Sequence, residues 1–280
     1  MKYIIHGATG AQGSPLFQKL RKTGKNAIAA VRDPNTLEGA PAIAVDLSSV
    51  DSLVAAYADA EGAFVHLPLG PEDVRLQYAR NISEAIEVAR PKRVIISTSG
   101  WKLDVPGDES ALPTLVREVE KTGVSMAVIA PQLYLENLLL PITIEPVKSE
   151  NILRYPLRSD YPVSWCSHLD IADVAAGLFT NTSVTGIVGV GQLPAVTAHE
   201  LAAAFSNHFG RKVVFESLQP EEFGKLLAPL FGEGAAAEVV AGYKSKGQTT
   251  DSAIDTGTSA QRLLGIVPRT VEQWLSEIGI

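Results

Sequence analysis

Short apolar runs alternate with amphipathic stretches through the first half of the chain. The runs at 3–6, 27–31, 42–45, 63–67, 93–97 and 125–130 are continuously apolar rather than alternating. That pattern predicts strands covered on both faces, as in a parallel sheet. Between them, 14–22, 50–57, 72–89 and 110–121 carry apolar residues at helical spacing, and Thr23-Gly24 and Thr122-Gly123 close two of these segments. The strand–helix rhythm predicts an α/β fold of the Rossmann type, a doubly wound parallel sheet whose ligand crevice lies at the carboxyl ends of the strands. After Pro131 the rhythm changes. Prolines recur from Pro141 to Pro162 and Tyr155, Tyr161 and Trp165 cluster there. Helices are then predicted at 170–180 (with Asp170 as cap), 197–209, 220–230, 259–264 and 270–278, and strands at 186–190 and 212–217.

Composition narrows the function classes. The 280 residues carry 24 Lys+Arg against 31 Asp+Glu, a net charge of −7, without a run of like charge. This disfavours nucleic acid or an anionic membrane as partner. One cysteine, Cys166, leaves no internal disulfide framework and fits a reducing compartment. Only Tyr3-Ile4-Ile5 precede His6 and the glycines that follow, too short an apolar run for a signal sequence, and the apolar stretch 124–142 is interrupted by polar residues and prolines. The expectation is a soluble, cytoplasmic protein. The five histidines show no metal-ligand spacing, so no metal site is expected.

His6-Gly7-Ala8-Thr9-Gly10-Ala11-Gln12-Gly13 follows the first strand and opens the first helix. One glycine serves the sharp turn, one the approach of a pyrophosphate to the backbone, and one the packing of helix on strand. The helix start offers free N–H groups and a positive dipole end to phosphate. In this strand–turn–helix setting the spacing Gly7-x-x-Gly10-x-x-Gly13 reads as a dinucleotide cradle of Gly7, Thr9, Gly10, Ala11, Gln12 and Gly13.

Further segments accompany it: Ala30-Val31-Arg32-Asp33-Pro34, Val45-Asp46-Leu47, the stretch from Pro131 to Leu139, Leu169-Asp170-Ile171-Ala172-Asp173-Val174-Ala175, and Leu263-Leu264-Gly265 to Trp274-Leu275. In this order they resemble the NmrA-like family of atypical short-chain dehydrogenases/reductases, a group with triphenylmethane-reductase-like and NADPH-quinone-reductase-like members. The resemblance spans nearly the whole chain. It implies residues 1–133 as an NAD(P)-binding Rossmann domain completed by segments near 164–190, and 134–280 as a smaller α/β substrate-capping region. It also implies NADP(H) rather than NAD(H), through Arg32 after the second strand. A guanidinium fork there suits a 2′-phosphate, whereas Asp33 either serves a ribose or forms a turn with Pro34. By the same resemblance Asp46 and Leu47 border the adenine, with a turn cap as the other role for Asp46. His66, Leu67 and Pro68 run past a ribose, with a structural hydrogen bond as the other role for His66; Ser97, Thr98 and Ser99 end the nicotinamide strand, reading also as a plain polar strand end, and Pro131 and Leu133 follow the sixth.

No catalytic residue is assigned. No Tyr-x-x-x-Lys pair follows the fifth strand, and the face of the fourth helix where relatives place a proton donor reads Leu112, Pro113 and Val116. An arginine common in relatives before Pro131 is Ala130 here. Hydride transfer by positioning remains, to a small quinone-like or aromatic acceptor protonated by solvent. Trp101, Tyr134, Asn137, Trp165 and His168 are candidates for that pocket, the aromatic ones reading equally as core. The alternative is a non-enzymatic NADP(H) sensor acting through a protein partner. A homodimer is the other partner expectation.

Overall fold

The computed structural model describes residues 1–37, 39–103 and 105–280. In chain order the elements are β1 Lys2–His6, α1 Gly13–Lys22, β2 Ala27–Val31, β3 Ala42–Ala44, α2 Val50–Tyr57, β4 Ala60–Val65, α3 Glu72–Ala89, β5 Val94–Ser97, α4 Ala111–Lys121 and β6 Met126–Pro131. There follow β7 Leu133–Tyr134, α5 Pro141–Glu150, β8 Ile152–Tyr155, β9 Trp165–Cys166, α6 His168–Thr180, β10 Gly186–Val190, α7 Ala198–Phe209 and β11 Val214–Ser217. The chain ends with α8 Pro220–Phe231, α9 Glu233–Gly247, α10 Ala260–Leu264 and α11 Val271–Ile278. It forms two compact units. The first comprises 1–131, 168–190 and 257–266, and the second 132–167, 191–256 and 267–280.

The first unit is built on a seven-stranded sheet in the order β10-β6-β5-β4-β1-β2-β3, with every neighbouring pair parallel. Ile4 and Ile5 of β1 point to opposite faces, and both are fully buried. This is why the strands read as unbroken apolar runs. α1 buries Gly13, Leu16, Phe17 and Leu20, and α4 buries Leu112, Leu115 and Val119. These i, i+3, i+4, i+7 stripes are what allow each helix to cover the sheet. The order reverses at β1: β2 and β3 lie on one side and β4 on the other. Doubly wound sheets bind their ligands at such a reversal, outside the strand ends.

The second unit has two small parallel sheets, β8 with β11 and β7 with β9. Its core is aromatic and aliphatic: Tyr155, Tyr161, Trp165, Phe205, Phe223 and Trp274 among others. The sequence pattern leaves α5, β8 and α9 unpredicted. α5 opens with Pro141 at its first position and carries Pro146 within it. Proline is tolerated in a first turn, where its missing N–H has no acceptor to lose, but it hides the helix from a propensity reading.

Asp170 corrects an expectation. α6 starts two residues earlier, at His168, and Asp170 lies buried in its first turn rather than capping it. Its carboxylate there still complements the positive end of the helix. β4 starts at Ala60 and ends at Val65, which leaves His66 and Leu67 beyond the strand. Among the described residues no helix is long and apolar enough to cross a membrane, and no cluster of His, Cys, Asp or Glu is arranged to hold a metal.

Candidate functional site

The turn after β1 is closed by its own backbone. The Gly10 N–H donates to the Gly7 carbonyl at 2.7 Å, and the Ser14 N–H to the Gly10 carbonyl at 3.0 Å. Gly7 has φ +60°, and a Cβ on it would collide with the His66 imidazole. A Cβ on Gly13 would collide with the Gly7 and His6 carbonyl groups. Neither position has space for alanine, whereas Gly10 is merely tight, its Cβ falling 3.3 Å from the Gly7 oxygen. Thr9, Gly10 and Ala11 form the exposed rim. α1 has no acidic residue in its first turn and has Lys19, Arg21 and Lys22 in its last. The basic residues complement the negative end, and no side chain neutralises the positive one. The cradle fits a phosphate, by its bare backbone and its helix-end charge.

Gln12 binds this turn to the end of β5. Its side chain donates to Ser99 Oγ at 2.9 Å and accepts from the Ser97 hydroxyl at 2.6 Å. Gln12, Ser97 and Thr98 are buried, and Ser99 adopts φ +54°. The β5 hydroxyls expected to meet a ribose are thus partly engaged with the protein itself.

At the end of β2 the alternatives separate. Asp33 caps a short turn over Pro34–Thr36, accepting from the Asn35 N–H at 3.0 Å. Arg32 is exposed and has no hydrogen-bond or ion-pair partner among the described residues. Its guanidinium is chemically able to take a phosphate at this strand end. Asp46 accepts from both the N–H and the hydroxyl of Ser48, at 2.8 and 2.6 Å. The hydroxyl first, and then the backbone N–H, hold its carboxyl below the usual range. Leu47 is half-buried, and its carbonyl accepts from Asn81.

Two histidines stand beside Gly7. His6 is buried, its Nε2 lies 2.9 Å from the Tyr57 hydroxyl, and burial, with His66 nearby, lowers its pKa to about 3. Burial likewise lowers His66, opposed in part by its contact with the Leu67 backbone. His66 Nε2 is shut off from solvent without a hydrogen-bond partner among the described residues. Both imidazoles are therefore neutral at pH 7, and the phosphate end of the cradle gains no charge from them. Leu67 is buried beside them and Pro68 half-buried. Nothing in the sequence pairs His6 with Tyr57, fifty-one positions apart.

The acceptor candidates divide between the units. Trp101 and His168 belong to the first, and Tyr134, Asn137 and Trp165 to the second, as does the buried nucleotide candidate Leu133. Pro131 ends β6 in the first unit, opposite Val190. Trp101 is 48% exposed, with the Arg75 guanidinium stacked 5.1 Å from its ring centre. Trp165 is 1% exposed and meets Tyr155 edge-on at 5.6 Å. Of its two readings the structure supports core packing, since a ring without exposed surface has none to offer a ligand. Asn137 hydrogen-bonds the buried Tyr155 hydroxyl, which also lies 2.5 Å from that of Tyr243. Burial raises Tyr155 to about 12, so it is not poised to release a proton near neutral pH. Cys166 is buried, its thiol donating to the Leu133 carbonyl at 3.7 Å.

Known proteins place this geometry in context. The chain is 27% identical over 233 residues to the NAD(P)H azoreductase of Xenophilus azovorans, covering 78% of each chain. The triphenylmethane reductase of Citrobacter sp. superposes over 100% of both chains with a TM-score of 0.80 at 17% identity. An NADPH-dependent quinone oxidoreductase from Escherichia coli, solved with NADPH, covers 100% of both at 0.76 and 20%. These structural likenesses establish the fold. The family model matches residues 2–275, nearly end to end, and the chain belongs to the NmrA-like family.

Proposed function

We propose that the protein is an NAD(P)H-dependent oxidoreductase, NADPH-preferring, that reduces a small quinone-like or aromatic acceptor. The observation that carries the reading is the cradle after β1, where Gly7 and Gly13 admit no side chain, together with the unengaged Arg32 at the end of β2. Backbone N–H groups at the start of α1 would hold the pyrophosphate, and Arg32 the 2′-phosphate. Gln12, bonded to Ser97 and Ser99, keeps the β5 end in register with that turn. The acceptor class is drawn from the azoreductase relative, and the dye and quinone reductases of the same fold make it chemically coherent.

Bound reduced nicotinamide supplies a hydride, and the acceptor takes its matching proton from water. The protein's part is to position and to exclude, which alone can account for a large share of a rate enhancement. This agrees with a chain that lacks the Tyr-x-x-x-Lys pair.

The test is NADPH oxidation, followed at the nicotinamide absorbance band, across a panel of quinones and triphenylmethane and azo dyes. Turnover of at least one acceptor above the enzyme-free rate is expected. Tight NADPH binding without oxidation of any would overturn the reductase reading in favour of a nucleotide sensor.

A further inference from the structure

We propose that Trp101, held against the Arg75 guanidinium, is the stacking platform for the acceptor and selects fused-ring aromatic acceptors over single-ring ones. The proposal rests on the reductase reading above and adds a residue pair and an acceptor geometry to it.

Position comes first. Trp101 follows the end of β5 by four residues, in the connection to α4. β5 and β4 are neighbouring parallel strands, so the connections leaving both emerge at the carboxyl end of the sheet, where the cradle lies. Those connections and the first turn of α3 also carry Leu69, Val74 and Val105, all exposed. Large apolar side chains left in water at the ligand end of a sheet mark a surface meant to be covered. The ligand expected here is small, aromatic and in need of a wall.

The second observation is how the indole is held. Arg75, in the first turn of α3, is almost wholly buried and donates to Glu72 at 2.6 Å. The other Glu72 oxygen accepts from the Ala111 N–H, the first residue of α4, also at 2.6 Å. One carboxylate thus fixes the arginine and caps the next helix, and the arginine lies against the ring at 5.1 Å. A planar guanidinium stacks on an aromatic face as an ammonium cannot. The cation lies over one face of Trp101, the side chain is about half exposed, and we take that exposed surface as the one a ligand stacks on. Glu72 compensates the Arg75 charge, so the platform presents a neutral π-surface suited to an uncharged acceptor. A ring already fixed loses little freedom when a ligand stacks on it. The indole spans two fused rings, so a two-ring acceptor overlaps it more fully than a single ring does. Arg75 acts through Trp101 and is a positioning residue.

Trp165 and Trp274 are buried, so acrylamide quenching of tryptophan fluorescence reports Trp101, with Trp101→Phe to assign the signal. Using the intact protein without nucleotide, 2-naphthamide should protect Trp101 from acrylamide and benzamide should not. Arg75→Gln should raise the quenching constant about twofold as the ring is released. With NADPH, Trp101→Ala should lower the ratio of kcat/KM for menadione to that for duroquinone about tenfold, Trp101→Phe less, and Arg75→Gln in between. Unprotected Trp101, or a menadione-to-duroquinone ratio unchanged in Trp101→Ala, would overturn the platform. If 2-naphthamide protects Trp101 but no acceptor is reduced, the platform stands as an aromatic-ligand site and the reductase reading falls.

Discussion

The two units use their specialised residues in opposite ways. In the first, the critical turn is backbone: Gly7 and Gly13 matter because nothing fits where a side chain would be. In the second, the prominent residues are large rings packed on one another, Tyr155 touching Trp165, Phe223 and Tyr243. Aromatic residues in a predicted capping region invite a ligand-pocket reading, yet most of these are interior. An aromatic side chain becomes a binding candidate through exposed surface and an identifiable way of holding its ring, as at Trp101, rather than through its place in the sequence.

The largest expected effect separates the two uses. Trp165→Ala removes a fully buried indole from the second unit and should cost about 4 kcal/mol of stability in urea unfolding. NADPH affinity of the folded fraction should be unchanged. A cost below about 1 kcal/mol would mean that the ring is not core, and the contrast between the units would collapse.

Gly13→Ala should cost binding as well as stability. The added methyl meets carbonyl groups of the preceding turn, which cannot move aside as a flexible side chain can. A stability loss of about 3 kcal/mol is expected, with NADPH binding weakened beyond detection in calorimetry. Gly10→Ala, at a merely tight position, should keep measurable binding. Equal behaviour of the two variants would show that the cradle geometry is not what governs binding.

The pair of histidines beside Gly7 gives the next effect. Both have folded-state pKa values lowered by burial, so the unfolded chain binds more protons and stability rises with pH across the intervening window. For His6 that window runs from about 3 to the ordinary 6.5. Stability should be flat above pH 7.5 and fall on acidification below 6.5. Between pH 6 and 5 His6 alone should contribute a slope approaching one proton, about 1.3 kcal/mol per pH unit, with His66 adding in the same direction. His66→Asn should make the slope shallower. A native protein whose urea midpoint is the same at pH 5 and pH 7.5 would refute the neutral buried pair.

Much of the first unit was legible because its strands are buried on both faces. Buried apolar residues dominate β1, β4, β5 and β6, and α1 and α4 each carry one apolar stripe. The glycine turn was legible for a related reason, since its spacing encodes steric limits found again in the structure at Gly7 and Gly13. In the second unit α7, β11, α8 and α11 were legible too, but α5 and β8 were not, because β8 is short and α5 begins with and continues through proline, at Pro141 and Pro146. The side-chain network of the site was also hidden. Gln12 reaches Ser97 and Ser99 across more than eighty positions, and Glu72 reaches Ala111. Such pairings follow from the sheet order, which no local pattern states.

In the proposed function the first unit holds a 2′-phosphorylated dinucleotide through the glycine turn and Arg32. Calorimetric titration of the native protein and of Arg32→Ala with NADPH and with NADH tests it most directly. The substitution should weaken NADPH about 10- to 100-fold, the worth of a lost charge-assisted phosphate contact, and change NADH less than about twofold. Equal losses for the two nucleotides, or none for either, would contradict it.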